Sequence, residues 1–140
     1  MDIGLLGFAA ALGLAGVGSA IGIGTAGMAA IGAWKKCYAQ NKPAPYMLVV
    51  FVGAPLTQTI YGMILMNTIL ASTKGGMAQL GAGIFGGLAM GVSAWFQGKA
   101  GAAGSDALAE TGKGFSNYIL VVGLVETVAL FAMVFLMINL

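Results

Sequence analysis

Four long apolar stretches separated by short polar breaks dictate what this chain can become. They run from Ile3 to Ala33, Tyr46 to Thr73, Met77 to about Ala109 and Phe115 to Leu140. Each exceeds the roughly 20 residues that a helix needs to cross a hydrocarbon core. Charged residues make up only 7% of the chain, against about 25% in ordinary globular domains, so they could not cover a surface facing water. In lipid, backbone polar groups must pair within helices or closed barrels. Stretches of this length therefore predict an all-α membrane protein with four transmembrane helices.

The breaks carry turn and loop residues: Lys35, Lys36, Asn41, Lys42, Pro43 and Pro45, then Lys74-Gly75-Gly76, then Asp106, Glu110, Lys113 and Gly114. They divide the chain into two tandem hairpins, residues 1–73 and 74–140. The first and third loops share one side of the membrane and hold or adjoin five lysines; Lys74 alone lies on the other. The positive-inside rule makes loops 34–45 and 106–114 cytoplasmic and puts both termini on the opposite side. The opening Met1-Asp2 lacks a positive stretch, so the first apolar run reads as a spanning helix and not a cleaved signal.

Several function classes drop out. With no histidine and one cysteine, Cys37, zinc sites and His-based triads lack their usual groups. A net charge of +2 without a basic, aromatic-interleaved patch argues against nucleic acid. No nucleotide motif is present, so ATP chemistry is not expected in this chain, and no organic cofactor is implied.

Glycine separates the helices into two kinds. Of 24 glycines, 17 fall in the first and third stretches, where they let backbones approach closely in lipid. The second and fourth are filled with Leu, Ile, Val, Met and Phe. Thin helices suit the crowded inside of an assembly and thick ones its lipid-facing outside. The alternation also implies an internal repeat. Shifting the second stretch by seventy residues puts Thr57 on Thr127, Tyr61 on Phe131, Met63 on Met133 and Leu56 on Glu126. Only the second hairpin keeps an acid.

Glu126 lies about eleven residues into the fourth helix, ~17 Å at 1.5 Å per residue and near mid-membrane. An ionised carboxylate there costs several kcal/mol unless it is paired, protonated or holding a cation. The chain has no arginine to pair with it. Lys99, two residues beyond Gln97, either snorkels toward the headgroups or approaches Glu126. In the second helix, Thr57, Gln58 and Tyr61 fall within one turn, and Pro55 loosens that turn by freeing a carbonyl, first of all that of Phe51. Gln97 has a similar depth on the third helix. One carboxylate, two amides, a hydroxyl and a freed carbonyl suit a hard cation. A single carboxylate makes the site neutral with a monovalent ion, which favours Na⁺ or H⁺ over Ca²⁺.

Glu126-Thr127, the Pro55-x-Thr57-Gln58-x-x-Tyr61 segment and Gln97-Gly98-Lys99 together resemble the four-helix proteolipid (of the c, or K, type) of V-type and A-type rotary ATPases. The resemblance covers nearly the whole chain and is nearest to the bacterial Na⁺-translocating branch. It implies Na⁺ held by Thr57, Gln58, Gln97, Glu126 and the backbone carbonyl of Ala54, with Tyr61 bonded to the carboxylate. It also implies a homo-oligomeric ring, a stator subunit of the a/I type supplying an arginine, central-stalk subunits at the cytoplasmic loops, and a prokaryotic plasma membrane. Relatives often carry proline where this chain has Val125, so a straighter fourth helix is expected. A small secondary transporter using Glu126 as a cation-coupled carrier, or a purely structural or channel-forming proteolipid, would also place helices and an acid in lipid. The transporter would show a substrate pocket in place of the thin and thick alternation, and the structural proteolipid leaves the polar set unexplained.

Overall fold

A computed structural model describes residues 2–140; Met1, the first residue of the 1–73 hairpin, lies outside them. Four helices are long and apolar enough to cross a membrane: α1 Gly4–Ala39, α2 Leu48–Ala71, α3 Gly76–Thr111 and α4 Phe115–Asn139. No strand occurs among the described residues. At 36 residues each, α1 and α3 measure ~54 Å and outrun a ~30 Å hydrocarbon core. Near their C-terminal ends the two helices meet, with Lys36 Nζ 3.0 Å from Asp106 Oδ1. Both partners are solvent-exposed, so this ion pair contributes little to stability.

The loops follow from local chemistry. α3 stops at Gly112, whose φ of 67° is open to glycine and costly for a side chain, and whose N–H caps the Leu108 carbonyl at 2.8 Å. Gly114 has φ 94°, and a Cβ there would also run into the Tyr118 ring. The longer first loop is tied back by Trp34, whose indole N–H donates to the Pro45 carbonyl at 2.7 Å.

The two glycine-rich helices form the closest pair. A Cβ added at Gly18 would overlap the Gly91 backbone, at Gly83 that of Gly7, and at Gly98 that of Gly22. Without a hydrophobic driving force in lipid, such backbone-to-backbone packing supplies the attraction that holds helices together. The bulky α2 and α4 lie on one side of this pair. Ala11, Ala15, Leu65, Met90, Ala129 and Met133 make one core cluster, and Ala30, Phe51, Leu108 and Val122 belong to another nearer the first and third loops. Between them lies a polar layer.

Candidate cation-binding site

That layer begins with a break in α2. Pro55 has no N–H to offer the Phe51 carbonyl, and the helix tightens into a 3₁₀ turn over Ala54–Leu56 before resuming at Thr57. The carbonyl this turns toward the layer is that of Ala54, which accepts from Thr57 Oγ1 at 3.0 Å. The Phe51 carbonyl, the first to lose its helical partner, instead lies against Gly101 of α3. Proline thus frees the Phe51 carbonyl, while the tightened turn offers that of Ala54, three residues on, to Thr57.

Thr57, Gln58 and Tyr61 converge with Gln97 of α3 and Glu126 of α4. Glu126 Oε1 accepts from Thr57 Oγ1 at 2.5 Å and from the Tyr61 hydroxyl at 2.9 Å. Glu126 Oε2 accepts from Gln97 Nε2 at 3.2 Å. Gln58 Oε1 lies 3.1 Å from Thr57 Oγ1. One threonine hydroxyl thus has three acceptor oxygens in reach, from Ala54, Gln58 and Glu126, and a single proton to give. Oxygen exceeds hydrogen at this point, and Gln58 and Gln97 are both fully buried.

The two amides lock one another. Gln58 Nε2 donates to Gln97 Oε1 at 2.9 Å and to Ser93 Oγ at 3.3 Å. Gln97 Nε2 also donates to the Val122 carbonyl at 3.0 Å, and Ser93 Oγ to that of Val125 at 2.9 Å. Gln97 therefore turns its nitrogen, not its oxygen, to the carboxylate. Ser93 escaped the sequence reading. Its signal was position, one helical turn before Gln97 on the same face of α3.

Other residues singled out from sequence lie elsewhere. Lys99 Nζ sits over the Trp95 ring, 4.7 Å from its centroid, and 5.0 Å from that of Phe96. Its charge is held by aromatic faces, and among the described residues Lys36–Asp106 is the only ion pair within 4 Å. Thr127 bonds its own helix, donating to the Leu124 carbonyl at 2.6 Å. Leu56 is 52% exposed on the outside of α2. With Val125 in place of proline, α4 runs unbroken from Phe115 to Asn139.

Comparison with known proteins gives two matches. Residues 80–139, which hold Ser93, Gln97 and Glu126, match the family described as the C subunit of ATP synthase. The A-type ATP synthase subunit K of Methanocaldococcus jannaschii is 35% identical over 133 residues, which is 94% of this chain and 58% of that protein. The chain thus spans a little over half the length of this relative.

Proposed function

We propose that this chain, a member of the ATP synthase C-subunit family through its second hairpin, is a rotor-ring subunit of an A/V-type rotary ATPase that carries Na⁺ on Glu126. The observation that carries the ion assignment is the oxygen surplus around Thr57 Oγ1, where the carbonyl of Ala54, Gln58 Oε1 and Glu126 Oε1 share one hydroxyl proton. A monovalent cation set among these oxygens relieves their mutual repulsion and neutralises the single carboxylate. Proton carriage needs only Glu126 and leaves the Ala54 carbonyl and Gln58 Oε1 still sharing the Thr57 hydroxyl, so Na⁺ is the first assignment and H⁺ the second. For Gln97 to give the ion its oxygen, its amide must turn end for end and give up its bonds with Gln58, Glu126 and the Val122 carbonyl; as it stands, its nitrogen orients the carboxylate beside the ion. Tyr61 holds Oε1 in place throughout.

On this reading many copies form a ring, with α1 and α3 inside and α2 and α4 toward lipid. A loaded Glu126 crosses lipid without net charge. A stator arginine displaces the ion into an aqueous channel, and rotation couples this exchange to ATP hydrolysis or synthesis in a separate soluble sector. The projecting loops 34–45 and 106–114 meet the central stalk on the cytoplasmic side of a prokaryotic plasma membrane.

Labelling with a carboxyl-reactive carbodiimide tests the ion. Modification is expected at Glu126 and should slow as Na⁺ replaces K⁺ at fixed pH and ionic strength. Equal rates in the two salts would overturn the sodium assignment. Labelling at Asp106 or Glu110 alone would overturn the site.

A further inference from the structure

Ser93 lies in the polar layer at 5% exposure, one helical turn before Gln97 on α3. Its hydrogen bonds run to Gln58 Nε2 at 3.3 Å and to the Val125 carbonyl at 2.9 Å, and neither reaches Thr57 or Glu126. Ser93 therefore ties α2 to α4 without joining the carboxylate.

The direction of these bonds is fixed from α4. A backbone carbonyl only accepts, and it is held by its helix. Ser93 has a single proton and gives it to the Val125 carbonyl. Gln97 gives an N–H to the Val122 carbonyl, one turn away, at 3.0 Å. What these two side chains have left for Gln58 is oxygen. The Gln58 nitrogen carries two hydrogens and finds an acceptor for each, Gln97 Oε1 at 2.9 Å and Ser93 Oγ. Its own oxygen is thereby turned the other way, 3.1 Å from Thr57 Oγ1. Reversing the amide would set its oxygen against two oxygens with no hydrogen between them. It would also aim N–H groups at Thr57 and repel a cation there. Gln58 is fully buried, so an unmatched group carries its full cost.

The two anchors of Gln58 are not equivalent. Gln97 also holds Glu126 Oε2, so it serves a proton and a cation alike. Ser93 acts on the site through Gln58 alone, and Gln58 Oε1 matters only to an ion that needs oxygen ligands. A proton on Glu126 makes no use of it. We infer that Ser93 is a positioning residue that sets the cation preference of the site: by fixing the Gln58 amide with its oxygen toward Thr57, it favours Na⁺ over H⁺ without binding either. This rests on the sodium reading of Glu126, and the two fail by different outcomes.

The test is carbodiimide labelling of the full chain in lipid. Two quantities are compared: the Na⁺ concentration that halves the rate at Glu126, and the pH profile of the rate without Na⁺. Ser93→Ala strands one N–H of Gln58 and should raise that concentration about 10-fold, with the pH profile unchanged. Ser93→Thr keeps the hydroxyl and should restore the original value, its methyl entering the open hollow of about 620 Å³ that Ser93 borders. A Gln58→Leu background leaves Ser93 no amide to orient, so Ser93→Ala should add nothing there; this comparison serves if Ser93→Ala alone does not assemble. Ser19 of α1 is the control, being 2% exposed with no hydrogen-bond partner for its Oγ among the described residues. Ser19→Ala should leave Na⁺ protection unchanged.

Unchanged protection in Ser93→Ala, a shifted pH profile, no restoration by threonine, or a further loss in the Gln58→Leu background would each overturn the role of Ser93 and leave the sodium reading standing. An equal loss from Ser19→Ala would mark a general effect of deleting a buried hydroxyl and also overturn it. An unsubstituted protein that Na⁺ does not protect overturns both.

Discussion

The two hairpins differ in what they bring to the polar layer between the core clusters. The first contributes a proline-broken helix with Thr57, Gln58 and Tyr61 on its inner face, and it leaves Leu56 outside at 52% exposure. The second contributes Ser93, Gln97 and Glu126 on continuous helices. Neither half holds a site alone. The carboxylate belongs to one hairpin, while the hydroxyls and the backbone carbonyl nearest to it belong to the other. The hairpin without an acid in this layer thus supplies oxygens around the carboxylate of the other.

The sharpest way to break this comparison is to remove the one retained acid. Glu126→Gln is expected to reduce ion-coupled ATPase activity and carbodiimide labelling to background, while the oligomer still forms by native mass spectrometry. Retained transport would refute the division of labour. Moving the acid tests the same point from the other side. In the Glu126→Gln background, Leu56→Glu is expected to leave transport at background, because Leu56 is exposed on the outside of α2, away from the oxygens around Glu126. Recovery of Na⁺-dependent transport would show the two hairpins to be interchangeable.

A smaller effect is expected where the halves are joined. Gln97→Leu leaves the Gln58 amide and Glu126 Oε2 each short of a buried partner. At about 1–3 kcal/mol per unsatisfied group, the Na⁺ concentration that protects against carbodiimide should rise roughly 10- to 100-fold. Unchanged protection would remove Gln97 from the site. Packing gives a parallel contrast. Gly98→Val forces side-chain atoms into the Gly22 backbone and should cost about 1–3 kcal/mol, read as a lower Tm in detergent. Gly53→Ala, where a Cβ meets nothing within 4 Å, should leave Tm nearly unchanged. The smallest change is Tyr61→Phe, which deletes one of several bonds to the carboxylate. It should weaken Na⁺ protection only several-fold, in keeping with about 1 kcal/mol for a single hydrogen bond.

Much of this molecule was legible in its residues, and the reason is the solvent. In lipid a helix must be long, apolar and internally bonded, so apolar run length alone marks the four spans to within a few residues. The main discrepancy is at the ends of α1 and α3, which continue past the apolar stretches to Ala39 and Thr111. There, backbone bonding outlasts hydropathy, and Lys36 and Asp106 pair in water. The cost of an unpaired charge singled out Glu126 in the same way, and glycine content picked the pair of helices that touch.

Relations between helices were not legible, because they depend on rotation about each helix axis and on a few tenths of an ångström in depth. Sequence could place Gln97 near the height of Glu126, but only packing turned its amide nitrogen to the carboxylate and its oxygen to Gln58. Proline marked the loosened turn, yet the 3₁₀ tightening decided that Ala54 and not Phe51 presents its carbonyl. Lys99 had two readings until the Trp95 and Phe96 rings claimed its charge. Composition and the price of polarity in lipid marked the candidate residues. Tertiary structure decided which atoms meet, because each contact joins helices that the chain keeps some thirty to seventy residues apart.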